Sequence, residues 1–346
     1  MAAPKSITIV GGGLAGLTMG IALCQKKIPV TLHEAGNYPR HRVCGEFISG
    51  RGQATLARLG LRELLDQAGA VSAQTAAFFS ATRSASARPL PSAAICLSRF
   101  TLDATLAKKF CDLGGELREG GRFGEKFAEG IVRATGRRAQ ADENGACWFG
   151  LKIHARNLTL AADLEMHFSP RGYVGLCKIN GGYVNVCGLF RRRAEEKGEA
   201  KIGRDLLRGQ PGSPLRQRLA GVEFAEDSFC AVAGLSLLPQ QAAARAELCV
   251  GDAITMIPPV TGNGMSMAFE SAELAVAPLV AWSRAEISWD EARQKIAHDC
   301  DAVFARRLVW AKWLQRVLLT PALQNPLVML AAHSDWPWRL AFGRTR

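Results

Sequence analysis

The N-terminal part of the chain changes its hydrophobic period twice. Ile7–Val10 is a short β-branched run, a glycine-rich segment follows at residues 11–16, and Leu17–Cys24 has the apolar spacing of a helix. Val30–Glu34 is a second apolar run, and it ends in an acid. This order predicts a strand, a tight turn, a helix and a second parallel strand, which together make one βαβ unit.

The middle of the chain has the period of two that is typical of strands. Apolar and polar residues alternate along Leu164–Ser169 and along Tyr183–Leu189. Similar runs at residues 147–154, 172–178 and 228–234 complete a predicted antiparallel, half-buried sheet. We expect residues 71–97 to join the same sheet before the chain returns to the first domain.

The glycines of the first motif suit a nucleotide. Gly11 permits a tight turn, Gly13 lets a pyrophosphate approach the backbone, and Gly16 lets the helix pack on the strand. The start of the helix offers amide donors and a positive dipole to phosphate. Glu34 is placed to accept hydrogen bonds from the ribose hydroxyls of an adenosine, and it would repel a 2′-phosphate.

A second motif lies far downstream. Leu248–Val250 predicts a strand that ends at Gly251 and Asp252, and residues 258–264 form a Pro-Pro-Val-Thr-Gly-Asn-Gly turn. A helical run from Met265 to Leu279 follows. A helix that begins at this turn would stabilise negative charge at its N-terminus.

The two motifs together closely resemble those of the p-hydroxybenzoate hydroxylase and geranylgeranyl reductase superfamily of FAD-dependent oxidoreductases. The resemblance covers residues 5 to about 280. It implies that Asp252 binds a ribityl hydroxyl and that the amides of residues 262–264 face N1 and the C2 carbonyl of the flavin. The residues expected to contact FAD are Gly11, Gly13, Leu14, Ala15, Gly16, Glu34, Ala35, Arg42, Arg99, Gly251, Asp252, Pro259, Gly262, Asn263, Gly264 and Met265.

Two further segments carry the resemblance, and the second of them, residues 98–103, is similar to the family's R..(F/L)D..L element, whose arginine contacts the cofactor. Residues 38–46 are similar to the loop after the second strand in geranylgeranyl reductases, in which Cys-Gly-Glu recurs beside the flavin. Cys44 and Glu46 are therefore the candidate catalytic residues, and a packed thiol and a salt-bridged acid are the alternatives. Arg42 and Arg99 are candidate cofactor contacts because a pyrophosphate needs cations nearby, although either could be a surface charge.

Thr135 departs from the resemblance. The superfamily usually carries an Asp-Gly motif in the middle of the chain, whereas this chain has Thr135 before Gly136. Because that acid is linked to nicotinamide binding in the hydroxylases, the electron donor stays open between NAD(P)H and a separate reductant.

Composition excludes several other classes of protein. The formal charge of +12 favours an anionic partner, but basic residues are spread along the chain and not interleaved with aromatics, so we expect no nucleic-acid role. The ten cysteines have no CxxC spacing, and no metal site is expected. So many thiols predict a reducing, cytoplasmic location, and no apolar segment is long enough to span a bilayer.

The last part of the chain is predicted to be helical and is strongly basic. Ser288 is a candidate N-cap with acids at positions 290 and 291. Residues 303–346 carry seven basic residues and one acid. This region either packs on the core or contacts a membrane surface or an acyl-carrier protein.

These patterns predict an α/β protein with three parts. A Rossmann-like FAD-binding domain comprises residues 1–70, 98–145 and 235–285, an inserted antiparallel substrate lobe comprises 71–97 and 146–234, and a helical region comprises 286–346. The predicted function is a monooxygenase-like oxidation or hydroxylation of an apolar aromatic or polyketide-like small molecule. The alternatives are a flavin-dependent reductase of a carbon–carbon double bond and a non-catalytic flavoprotein or electron carrier.

Overall fold

A computed structural model of the protein describes residues 3–137, 147–192 and 203–334, and also 339, 343 and 344. The strands within these ranges are β1 (Ile7–Val10), β2 (Val30–His33), β3 (Phe47–Ile48), β4 (Val71–Phe79), β5 (Arg88–Cys96), β6 (Glu116–Arg118), β7 (Ile131–Arg133), β8 (Cys147–Arg156), β9 (Leu164–Ser169), β10 (Gly172–Lys178), β11 (Val184–Arg192) and β12 (Glu223–Leu235). The helices are α1 (Leu14–Gln25), α2 (Arg51–Arg58), α3 (Arg62–Gln67), α4 (Arg99–Asp112), α5 (Pro214–Arg218), α6 (Gly264–Ser283), α7 (Trp289–Leu318) and α8 (Pro321–His333).

A four-stranded parallel sheet in the order β6-β2-β1-β7 forms the centre of the first domain. Helix α1 packs against α4 and α6, and its residues from Leu14 to Cys24 are all buried. A helix that is apolar on every side must be covered on every side, which explains its central position. The predicted βαβ unit is confirmed.

The second sheet has eight strands in the order β12-β8-β11-β10-β9-β4-β5-β3. Most neighbours are antiparallel, as predicted, but β4 pairs with β9 in parallel, so the sheet is mixed. These two strands lie far apart in the sequence, and no hairpin between them fixes their direction. Strand β3 comes from the loop after β2, yet it pairs with β5 in this sheet.

The central strands of this sheet are buried on both faces, so the prediction of a half-buried sheet is wrong there. Val174 and Val186 pack on one face against α5 and its neighbouring turn, while Tyr173 and Leu189 pack on the other face. The alternating polar positions in β8 and β11 also lie inside, as Lys152 and Asn185 show.

Residues 248–250 do not form the predicted strand. They make a single parallel bridge between Arg133 and Cys249, with backbone hydrogen bonds of 2.8 and 3.0 Å. The chain then turns at once into a short 3-10 segment at Gly251–Ala253, which ends the pairing.

The C-terminal helices pack onto the rest of the molecule. Ser288 begins α7 with a capping box to Glu291, which confirms the predicted N-cap. Arg307 of α7 forms a buried, two-bond ion pair with Glu270 of α6, at 2.8 and 2.5 Å. Because both charges are buried and paired, this contact fixes how α7 lies against α6.

Candidate functional site

One cavity of about 1010 Å³ is lined by residues of both sheets and by residues of α6, α7 and α8. It is at the upper end of the range for ligand sites, about 300–1,000 Å³. It is lined by both candidate catalytic residues and by most of the predicted cofactor contacts. The other three predicted contacts, Gly16, Gly251 and Asn263, are chain neighbours of residues that line it.

The glycines of the first motif have the three different surroundings expected for them. Gly11 has a φ of 111° and lies against the backbone of Ala134. A side chain at Gly16 would overlap the carbonyl oxygen of Gly11, so this glycine lets helix and strand approach closely. A Cβ atom at Gly13 would meet nothing within 4 Å, because this position faces the cavity.

The N-termini of two helices open into the cavity. Leu14 and Ala15 begin α1, and Gly264 and Met265 begin α6. Among the described residues, no side-chain hydrogen bond caps either helix. Their first amides and positive dipole ends are therefore directed at whatever negative charge the cavity holds.

The two motifs are packed directly on each other. Gly251 lies so close to Ala15 that a Cβ atom added to Gly251 would be 2.9 Å from the Cβ of Ala15. The Gly251 amide donates a hydrogen bond to the Ser271 hydroxyl at 2.8 Å. Gly262 takes a left-handed conformation just before α6. This packing brings the two helix N-termini to the same cavity.

Glu34 lies at the edge of the cavity in a network of hydrogen bonds and ion pairs. Its carboxylate accepts hydrogen bonds from the amides of Gly12 (2.8 Å) and Gly36 (3.0 Å), and it pairs with Arg40 (2.6 Å) and Arg42 (3.4 Å). Burial raises its pKa, but these contacts outweigh burial and hold the pKa of Glu34 below its usual value. Glu34 is thus an ionised acceptor, as a ribose contact requires.

Arg42 and Arg99 both line the cavity, and both already have a partner in Asp103. Arg99 makes two hydrogen bonds to Asp103, at 2.6 and 2.7 Å, and Arg42 lies 3.2 Å from the same carboxylate. Asp103 is fully buried. It therefore orients both guanidinium groups, and only their remaining N–H groups are left for a ligand.

Asp252 also lines the cavity. Burial raises the pKa of its carboxyl group, and the charges of Arg137 and Arg99 offset only part of that effect. Arg137 is a cavity residue that sequence reasoning missed. Its position directly after Thr135 and Gly136, where the resembling proteins carry Asp-Gly, was the available signal.

Glu46 lines the cavity but is completely buried from solvent, in a left-handed backbone conformation with a φ of 55°. Its carboxylate bonds His154 (2.8 Å), the Arg99 amide (2.8 Å) and the Lys152 ammonium (3.3 Å). Burial raises its pKa, but the His154 hydrogen bond and the Lys152 charge outweigh burial and hold it below the usual value. Glu46 is therefore an ionised acceptor, and the protons of this cluster are on its neighbours.

Lys152 and His41 extend this cluster and were missed by sequence reasoning. Lys152 is fully buried, and its Nζ lies 3.1 Å from Nδ1 of His41, which lines the cavity. An ammonium group can only donate, so Nδ1 of His41 accepts. Burial and the Lys152 charge lower the pKa of His41 to about 4, which agrees with a neutral ring.

Cys44 lies beside Arg99 at the same end of the cavity. Burial is the main cause that raises the pKa of its thiol, although the Arg99 charge acts in the opposite direction. Its carbonyl oxygen accepts from Asn185 at 3.0 Å, which ties the loop to β11. At neutral pH Cys44 is a protonated thiol, so a role as a nucleophile is disfavoured.

The other part of the cavity, which we call the apolar half, is lined by the eight-stranded sheet and the C-terminal helices. Its side chains include Phe78, Leu164, Met166, Phe168, Tyr173, Leu189, Val232, Leu235, Leu314, Leu318 and Leu327. The part that is lined by the two motifs and the charged residues above is called the polar half. The two halves together form one continuous cavity.

Comparison with known proteins agrees with this geometry. No protein-family model and no curated protein matches the chain, whereas many solved structures do. A geranylgeranyl bacteriochlorophyll reductase-like protein from Thermoplasma acidophilum matches with a TM-score of 0.74 and 15% identity, over 96% of this chain and 92% of that one.

Two other matches are of similar quality. The flavin-dependent brominase Bmp2 has a TM-score of 0.70 and 15% identity, over 95% of this chain and 93% of its own. PqsL, a probable FAD-dependent monooxygenase from Pseudomonas aeruginosa, has a TM-score of 0.70 and 15% identity, over 95% and 100%. The chain thus shares its fold with these three proteins.

Proposed function

We propose that the protein is an FAD-dependent oxidoreductase that oxidises or hydroxylates an apolar small molecule, of an aromatic or polyketide-like kind, in the manner of a monooxygenase. The observation that carries this proposal is the continuity of the cavity. A single space connects two uncapped helix N-termini with a chamber of aliphatic and aromatic side chains. PqsL, which shares the fold, has been solved with 2-aminobenzoylacetate.

The polar half has groups that suit the pyrophosphate, the adenosine ribose, the ribityl chain and the flavin ring of FAD. The amides at Gly13 and the start of α1 suit the pyrophosphate, Glu34 suits the adenosine ribose, and Asp252 suits the ribityl chain. The start of α6 would stabilise negative charge on the flavin ring. FAD, when bound, supplies the redox chemistry.

The chain's own residues would position the substrate and manage protons. The apolar half binds the substrate and displaces water from it. Lys152 and His154 hold protons next to Glu46, and His41 connects this cluster to the cavity. A proton source beside the reacting groups is needed in either an oxygenation or a reduction.

The first test is the identity of the bound flavin. We expect the purified protein to be yellow and to release FAD on heat denaturation, and we expect Glu34→Ala to retain less of it because an acceptor for the ribose hydroxyls is lost. Release of FMN, or a colourless protein that cannot be reconstituted with FAD, would refute the cofactor assignment.

Reduction of a carbon–carbon double bond is the second candidate function. The Cys44-Gly45-Glu46 sequence favours it, because it resembles the flavin-side loop of geranylgeranyl reductases and lines the cavity here. The two reactions differ when reduced protein is mixed with candidate substrates without oxygen in a stopped-flow instrument. Flavin reoxidation in the absence of oxygen supports the reductase. Reoxidation that requires oxygen and yields an oxygenated product supports the monooxygenase.

Variants of the loop at residues 38–46 make that experiment more specific. We expect Glu46→Gln and Cys44→Ser to retain FAD but to slow turnover, with losses on the order of 10²–10⁴ where proton transfer is impaired. A loss in the anaerobic half-reaction indicates the reductase, and a loss confined to the oxygen-dependent half-reaction indicates the monooxygenase. Wild-type turnover in both variants would make the loop purely structural.

A further inference from the structure

The C-terminal helices carry most of the large apolar side chains that the described residues leave exposed. Val309 and Trp313 of α7 are 67% and 55% exposed. Leu323, Met329 and Leu330 of α8 are also exposed. Large apolar side chains gathered in one region of a surface usually mark a contact with a partner or a membrane.

Basic side chains surround the apolar residues of α7. Arg306, Lys312 and Arg316 are exposed, and they lie three or four positions from Val309 or Trp313 along the helix. Residues at that spacing are neighbours on one side of a helix. The sequence contains no Asp or Glu from residue 302 to residue 334, so the basic groups have no acidic neighbour within that stretch of the chain.

The same region borders the mouth of the apolar half. Leu330 is 46% exposed and also lines the cavity, together with Leu327 and Ala331 of α8. An apolar surface therefore continues from the outside of α8 into the substrate chamber. Leu330 and its neighbours therefore offer an apolar molecule a contact surface at the edge of the chamber.

We propose that this C-terminal face (Arg306, Val309, Lys312, Trp313, Arg316, Leu323, Met329 and Leu330) docks onto the surface of an anionic lipid bilayer. Exposed tryptophan and aliphatic residues flanked by Lys and Arg are the groups that hold a helix at a lipid headgroup layer. No helix within the described residues is long and apolar enough to cross a membrane, so this contact is peripheral. That the bilayer delivers substrate rests on the proposed function; the docking itself does not.

A second copy of the chain fits this face less well. A twofold interface would place the basic side chains of one copy close to the same basic side chains of the other copy. Like charges at an interface oppose association. An anionic bilayer satisfies the apolar and the basic residues at once. Charge complementarity therefore favours the lipid surface.

The test uses the full-length protein as purified, with its flavin, and vesicles of phosphatidylcholine with or without phosphatidylglycerol. We expect co-sedimentation with the anionic vesicles, weaker binding to neutral ones, and release by high salt. The triple variant Arg306→Ala/Lys312→Ala/Arg316→Ala should bind anionic vesicles on the order of 100-fold more weakly. Val309→Ala/Trp313→Ala should bind at least about tenfold more weakly.

Ala57→Glu is the matched control, since Ala57 is exposed on α2 and its change adds one acid away from the C-terminal face. It should bind vesicles like wild type, and all variants should keep wild-type flavin content and melting temperature. Absence of vesicle binding, or equal binding by all variants, would overturn the proposal. So would a dimer in light scattering that requires Val309 and Trp313. The flavin content of the purified protein tests the proposed function, and its outcome is independent of vesicle binding.

Discussion

The polar and apolar halves of the cavity are built from different kinds of atoms. Backbone amides at the starts of α1 and α6 dominate the polar half, together with a few charges that are paired with one another. The apolar half is made of side chains, and those named above come from five strands and two helices. The first depends on backbone geometry and the second on side-chain volume.

This difference decides what each half tolerates. Every residue has a backbone amide, whatever its side chain is. The polar half therefore restricts the choice of amino acid only at positions where the backbone must turn or a ligand must fit. The apolar half can change shape by ordinary hydrophobic substitution at a cost that is usually below about 1.5 kcal/mol. We infer that the polar half fixes the cofactor class and that the apolar half sets the substrate.

The largest expected effect is at the boundary between the halves, where Lys152 meets Glu46. Lys152→Met leaves a buried carboxylate with one charge partner fewer, and we expect a loss of about 3 kcal/mol in the free energy of unfolding, measured in urea. Lys178→Met, on strand β10 of the same sheet and exposed, should cost less than about 0.5 kcal/mol. Equal losses in the two variants would show that the buried Lys152–Glu46 pair does not contribute more to stability than an exposed lysine.

The second prediction separates ligand contact from packing within the polar half. Gly16→Ala should destabilise the fold by about 1–3 kcal/mol, because the new methyl group overlaps the Gly11 carbonyl. Gly13→Ala should leave unfolding unchanged and weaken FAD binding roughly ten- to hundredfold, because its methyl group enters the cavity. Chemical denaturation and fluorescence titration measure the two effects, and a Gly13→Ala variant with wild-type FAD affinity would contradict this assignment.

Asp252 tests the charged part of the polar half. We expect Asp252→Ala to lower FAD affinity by about 1–3 kcal/mol while the chain stays folded, since a hydrogen bond to a charged acceptor is lost. Asp66→Ala, which removes only an exposed ion pair with Arg62, is the control and should bind FAD normally. Unchanged affinity in Asp252→Ala, by fluorescence titration, would make Asp252 a structural residue.

The smallest effect concerns pH. The pKa of His41 is lowered to about 4 in the folded protein, mainly by burial, whereas an unfolded histidine titrates near 6.5. Between these values the unfolded chain binds more protons, so stability falls as the pH drops from about 6.5 to 4. Lowering the pH from about 7 to about 5 should therefore lower the Tm of His41→Asn by about 1–2 °C less than it lowers the Tm of the wild-type protein. An equal loss would show that His41 is not part of this dependence.

The polar half was largely predictable from sequence because its parts are contiguous. Gly11, Gly13 and Gly16 lie in one turn, and Glu34 follows at the end of the next strand, so local geometry alone places them together. The Glu46 cluster could not be predicted in the same way. Strand period places Lys152 and His154 on the same side of β8, but nothing local shows that the loop from residue 38 packs there.

The packing of the second motif on the first has a consequence for how the protein is made. Ser266 at the start of α6 donates a hydrogen bond to the carbonyl of Ser49, across 217 positions of sequence. At ribosomal speeds of about 5–20 residues per second, the N-terminal strands and α1 wait roughly ten to forty seconds for α6 to be synthesised. During that interval the apolar surface of α1 that α6 later covers is exposed. Nascent chains that stop before residue 264 should therefore be ready substrates for chaperones and proteases, and translation rate should affect the yield of folded protein.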